Sequence, residues 1–124
     1  SMSSSYVNRL FSSESWREYI LDYLDLNKKK FDKMPFEAFN KDFDITDAML
    51  GDLVKTGEKY KVKFNEKDFE KSKTYLKILL KAHMARNIYD DDAFYKVINE
   101  VNEIYQQAIK LLDNAGALAF FKEE

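Results

Sequence analysis

The stretch Phe94-Tyr95-Lys96-Val97-Ile98-Asn99-Glu100-Val101-Asn102-Glu103-Ile104-Tyr105-Gln106-Gln107-Ala108-Ile109-Lys110-Leu111-Leu112 decides the fold class. Phe94, Val97, Ile98, Val101, Ile104, Tyr105, Ala108, Ile109 and Leu112 recur three and four residues apart, the spacing that lines one face of an α-helix. This is the longest periodic stripe in the chain, and it is expected to be the core stripe of the last long helix. Asn114 and Gly116 are C-cap residue types. The apolar run Ala117-Leu118-Ala119-Phe120-Phe121 follows, closed by Lys122-Glu123-Glu124.

Toward the N-terminus the same period returns three times. Asn65 is placed to cap a helix that opens with Glu66 and Asp68 and runs to about Tyr89, with Phe69, Leu76, Leu79, Leu80, His83 and Met84 inward. Before it, Lys61-Val62-Lys63-Phe64 alternates like a brief strand. It has no partner strand in the chain, so it reads as an extended connector anchored by Val62 and Phe64. Thr46 is an N-cap for a helix with Asp47 in its first turn, Met49, Leu50, Leu53 and Val54 buried, and Gly57 in or just past its last turn. Gly51 weakens that helix by about 1 kcal/mol relative to alanine unless a neighbour packs closely on it.

Pro35 interrupts the pattern, and Phe36, Phe39 and Phe43 suggest a short aromatic helical segment plugging the core. The first long helix carries Trp16, Tyr19, Ile20, Tyr23 and Leu24 on one face. Ser15 and Glu18 form an S-x-x-E capping box at its start, and it is expected to end near Asn27. Lys28-Lys29-Lys30 then sets positive charge at its C-terminus. The expectation is an all-α, compact, bundle-like single domain of about four main helices plus the short aromatic segment. Residues 1–10 read as a cloning scar, Ser1-Met2, and a polar tail. Residues 11–124 read as the helical domain.

Composition narrows the functions. The chain has 124 residues, one histidine, no cysteine, and 20 basic against 22 acidic side chains. A chain of that length fits one domain. Without cysteine there is no disulfide framework, zinc ribbon or thiol nucleophile. The near-balance of charge gives no global field to attract nucleic acid or an acidic membrane. No apolar run approaches the ~20 residues that span a bilayer.

His83 has Leu79 and Arg86 as helical neighbours and no carboxylate at i±3 or i±4, so it reads as a structural histidine and not a zinc ligand. Asp90-Asp91-Asp92 lacks the alternating ligands, central glycine and closing glutamate of a calcium loop, and reads as an N-cap. Ser72 lies between Lys71 and Lys73, but adjacent helical residues point in different directions, so neither lysine can serve it as a base. Lys59-Tyr60-Lys61-Val62-Lys63-Phe64 interleaves basic and aromatic residues like a nucleic-acid groove, yet Glu58, Glu66 and Asp68 surround it. No catalytic, metal-ligating or cofactor-binding residue is therefore assigned, and no nucleic-acid or membrane partner.

One order of motifs is more specific. Phe43-Asp44-Ile45-Thr46-Asp47-Ala48-Met49-Leu50 leads to Val62-Lys63-Phe64-Asn65-Glu66-Lys67-Asp68-Phe69-Glu70-Lys71-Ser72. Leu80-Lys81-Ala82-His83-Met84-Ala85-Arg86-Asn87-Ile88-Tyr89 and Ala93-Phe94-Tyr95-Lys96-Val97-Ile98-Asn99-Glu100 come next. Over roughly residues 11–113 this order resembles the C-terminal helical region of carboxy-terminal processing (tail-specific) serine peptidases of Gram-negative cell envelopes. The helix beginning Trp16-Arg17-Glu18-Tyr19 is similar to the segment after their catalytic core. The departures are Asp90-Asp91-Asp92, where a Gly or Trp is expected, and the tail Ala115–Phe121. The resemblance implies a parent with a Ser/Lys dyad outside this sequence, located in the periplasm or cell envelope. It further implies a non-catalytic accessory role here, with the parent's protease core as partner and contacts to protein substrate or to an oligomer. The alternative is a stand-alone helical protein-binding module whose groove takes a partner helix through Met49, Met84 and the aromatics.

Overall fold

The computed structural model describes residues 5–114. Among them the secondary structure is entirely helical and forms one domain: α1 (Ser5–Ser12), α2 (Glu14–Leu26), α3 (Lys28–Phe31), α4 (Phe36–Asp42), α5 (Asp47–Lys59), α6 (Glu66–Ile88) and α7 (Asp91–Asn114). The expected C-cap at Asn114 and Gly116 and the apolar run to Phe121 lie outside the described residues or at their edge, as does the side chain of Leu112.

The sequence explains most of the boundaries. Thr46 Oγ1 accepts from the Met49 amide and Asn65 Oδ1 from the Asp68 amide, so both expected N-caps close their helices. Each satisfies one of the amides that a helix start leaves without an intrahelical partner. Asp90 Oδ1 accepts from the Ala93 amide and caps α7 in the same way. The start of α2 differs from expectation by two residues. Ser13, not Ser15, is the N-cap and accepts from the Ser15 amide, while Ser15 is buried against it. Glu18, freed from the expected capping box, instead holds Lys59 at the end of α5 at 2.9 Å.

The 1–10 tail assignment needs a larger correction. Residues from Ser5 onward form α1, and Tyr6, Val7 and Leu10 are fully buried. This helix packs on α2 and α6, and it also sits over Gly57 of α5. A Cβ built on Gly57 would stand 2.8 Å from Leu10 Cδ2, so glycine is what allows α1 and α5 to approach this closely. Just beyond, α5 ends in a Schellman motif. The Val62 amide donates to the Gly57 carbonyl at 2.9 Å and the Lys61 amide to Glu58 at 3.0 Å, with Lys61 in the left-handed region at φ 64°. That turn drives Val62 into the core. Phe64 lies edge-on to Tyr6 and Phe69 at 5.8 and 5.4 Å, so Lys61–Phe64 is the anchored connector that was expected.

Gly51 is the opposite case, because a Cβ there would meet nothing within 4 Å. Its helix penalty is therefore uncompensated. Gly51→Ala is expected to raise stability by up to about 1 kcal/mol, read as a higher urea midpoint at unchanged slope.

The second half of the core is aromatic. Phe39 of α4 is fully buried, and its ring lies 4.9 Å from Phe43, 5.7 Å from Tyr89 and 6.1 Å from Phe31. The short aromatic segment thus does plug the core. The Tyr89 hydroxyl donates to the Met34 carbonyl at 2.7 Å and ties the end of α6 to the turn before α4.

The long stripe on α7 is only partly a core face. Ala93 and Val97 are buried, and Phe94, Ile98 and Val101 are half-buried. Ile104, Tyr105 and Leu111 stand 60%, 62% and 70% exposed, and Ala108 is exposed as well. The periodicity identified a helix correctly, but α4 reaches α7 only through its N-terminal half. The Asn40 amide donates to the Glu100 carboxylate, and the Lys96 ammonium lies 5.6 Å from the Phe36 ring.

Candidate functional site

Several of the polar candidates pack or bond one helix against another in the folded chain. His83 projects from the C-terminal part of α6 between two rings, edge-on to Trp16 at 5.5 Å and to Phe94 at 5.1 Å. Burial and, to a lesser degree, the Arg86 cation lower its pKa from the ordinary 6.5. Arg86 itself stacks 4.0 Å over Phe94 and pairs with Asp91 at 3.1 Å, which commits the first aspartate of α7 to closing the α6–α7 hairpin. Among the described residues no group of three or more His, Cys, Asp or Glu side chains is arranged to hold a metal ion.

The lowered histidine pKa has a measurable consequence. The unfolded chain binds a proton near pH 6.5, while the folded chain resists it to lower pH. Stability is then fully present above the ordinary histidine range and falls as pH drops through it toward the lowered folded value. Melting temperatures taken between about pH 8 and about pH 5 are expected to decline, with His83→Gln flattening that part of the profile. An unchanged profile in the variant would place the titrating group elsewhere.

Ser72 is 1% exposed, and its Oγ has no hydrogen-bond partner. A nucleophilic serine needs a base within about 3 Å and access to substrate, and this one has neither. Its neighbour Lys73 turns to Asp47 at 3.3 Å, where Lys77 joins at 2.9 Å. These two lysines hold the Asp47 carboxyl below its ordinary range and clamp the start of α5 to α6. The basic–aromatic stretch at the end of α5 is likewise engaged, since Lys59 and the Tyr60 hydroxyl both donate to Glu18. Of the Lys28–Lys30 run, now helix α3, Lys30 lies over the rings of Phe31 and Phe43 at 5.7 and 5.2 Å.

Lys81 was not singled out from the sequence. Its Nζ donates to the Asn40 carbonyl at 2.8 Å, near the C-terminus of α4, and lies 3.8 Å from Asp44. Burial lowers its pKa, opposed by Asp44 and Glu100. A lysine with a lowered pKa beside a groove is a familiar sign of a reactive site. Here the ammonium instead supplies the cation and donor that a helix C-terminus favours, and it bolts α4 to α6. Nothing local in the sequence announces it, because the carbonyl it serves lies 41 residues away.

Two concave features border these residues. One, of about 360 Å³, is lined by Asn40, Asp44, Lys77, Lys81, Val101 and Ile104 among others. The other, of about 300 Å³, lies beside Trp16, Arg17, Leu21 and His83. Neither brings a nucleophile and a base together. Met49 and Met84, expected to line a groove for a partner helix, are both buried in the core. Among the described residues the distal half of α7 leaves Ile104, Tyr105 and Leu111 in the open, and Leu26 at the end of α2 is exposed as well. No described helix is long and apolar enough to cross a membrane.

Comparison with known proteins adds a family of unknown function. A family model described as a family of unknown function, DUF8443, matches residues 6–90, more than half of the chain. That span runs from α1 through α6 and stops at the junction with α7. No curated protein and no solved structure matches the chain.

Proposed function

We propose, for a chain that belongs to the family of unknown function DUF8443, that it is a non-catalytic helical domain which works by contact inside a larger protein. The observation that carries this reading is the disposition of its polar side chains. His83, Lys59, Lys73, Lys77, Lys81, Asp47 and Glu18 pack or bond one helix against another, and the conspicuous uncovered feature is an apolar helix face.

The resemblance to carboxy-terminal processing serine peptidases supplies the parent in this proposal. The dyad chemistry and the envelope location belong to that parent, and the partner is its protease core. The parentage rests on the sequence resemblance alone.

The test has two arms. The purified chain is expected to leave an unfolded protein substrate intact, and cleavage abolished by Ser72→Ala would overturn the non-catalytic reading. A peptidase parent lacking residues equivalent to 11–113 is expected to lose stability, assembly or protein-substrate processing while its dyad still reacts with a small serine-directed probe. Full retention of all three would refute the accessory role.

A further inference from the structure

The uncovered face of α7 has a stricter order than amphipathicity requires. Phe94, Val97, Val101, Ile104, Ala108 and Leu111 alternate steps of three and four residues, and in the sequence the same steps continue at Ala115 and Leu118. An ideal α-helix drifts about 20° per heptad away from such a repeat, so a repeat held this long is the mark of a helix that runs along another helix. The first positions meet that need inside the chain, where Val97 is buried and Phe94 packs against His83 and Arg86. From Ile104 onward the described seam has no cover.

We infer that this seam pairs with a second copy of the chain, the two α7 helices running antiparallel about a two-fold axis that crosses the seam at the level of Gln106. Two observations and a symmetry argument favour this occupant. On α7 itself the residues flanking the seam carry little charge, Ile98 and Tyr105 on one side and Glu100 and Gln107 on the other, and the groove beside Val101 and Ile104 is lined by both signs, Asp44 with Lys77 and Lys81. Glu100 already accepts from Asn40, so no row of like charge opposes self-pairing, while Glu103 and Lys110 lie on the far side of the helix. In an antiparallel pair, Ile104 stands opposite Ala108 of the partner and Val101 opposite Leu111, so a large residue meets a small one and the layers fill. A parallel pair would set alanine against alanine. A two-fold contact also needs one self-complementary patch and closes on itself, so it ends at a dimer.

The segment from Val101 to Leu111 is about 15 Å long. Such a contact lies at or below the roughly 1,200 Å² lower bound of stable specific interfaces. The association is therefore weak and concentration-dependent. It does not depend on the peptidase parentage.

Sedimentation velocity on the full 124-residue chain tests it. The weight-average mass is expected to rise from 14.7 kDa toward twice that value as concentration increases. Ile104→Glu should abolish the rise, and Gln106→Glu, on the opposite side of the helix, should keep it. Both should melt like the unmodified chain, because Ile104 is 60% exposed and Gln106 is exposed too. The absence of cysteine allows orientation to be read directly. Mixing Ile104→Cys with Ala108→Cys under oxidation should yield mainly the mixed disulfide. A mass that stays at the monomer value at every concentration overturns the proposal. So does a chain cut after Asn114 that dimerises while the full chain does not, since its own C-terminal residues would then be the occupant. Preferential homodisulfides of each single variant would overturn the antiparallel arrangement.

Discussion

A chain that begins at Phe11 is expected to lose cooperative folding. Removing residues 1–10 takes away Tyr6, Val7 and Leu10, each fully buried in the structure. Burying a side chain of this size stabilises by roughly 1.5–3 kcal/mol, and a whole domain is stable by only about 5–15 kcal/mol. The deletion also uncovers the surfaces α1 protects. Gly57 and the face of α5 beside it have no side chain to close the gap left by Leu10, and Phe64 loses the Tyr6 ring at 5.8 Å. Thermal unfolding followed by circular dichroism should change from one steep transition to a broad, low-amplitude slope. A deletion of residues 1–4 serves as the control and should leave the melt unchanged. If the chain starting at Phe11 melts as sharply and as high as the full chain, α1 is an accessory to the core and not a part of it.

That helix was illegible for a physical reason. It has eight residues, too few to be stable alone, and only three of them face inward. A serine run precedes it, so its local signals resemble those of a polar tail. The longer elements could be read because their own chemistry ends them: Thr46 and Asn65 cap α5 and α6 with side-chain oxygens that the sequence displays. Tertiary ties were not displayed. Glu18 reaches Lys59, and Lys81 reaches the Asn40 carbonyl, each across 41 residues. No periodicity or spacing rule encodes a pair of that separation. The α7 stripe shows the same boundary from the other side. Periodicity says that a helix has an apolar face; only the positions of α4 and α6 say where along it the cover stops.

The contrast between α4 and α7 gives the second large effect. Phe39→Ala is expected to cost about 3–5 kcal/mol, whereas Val101→Ala should cost well under that, toward the lower end of the usual range for point substitutions. Read from the sequence, the ranking would favour Val101, which lies in mid-stripe on the longest periodic segment. In the structure Val101 is only half-buried at the rim of the 360 Å³ groove, so truncation there enlarges a space already open to water. Phe39 is enclosed by Phe31, Phe36, Phe43 and Tyr89, with the Lys81 ammonium 5.9 Å from its ring. Removing it leaves a cavity lined by rigid rings that cannot collapse inward. It also loosens the end of α4, where Lys81 donates to the Asn40 carbonyl. The cost should therefore exceed that of lost area alone, and Phe39→Leu should recover part of it by refilling volume. Urea unfolding of the three variants decides the matter. Equal midpoints for Phe39→Ala and Val101→Ala would mean that the aromatic cluster is no more important to the core than the rim of the groove.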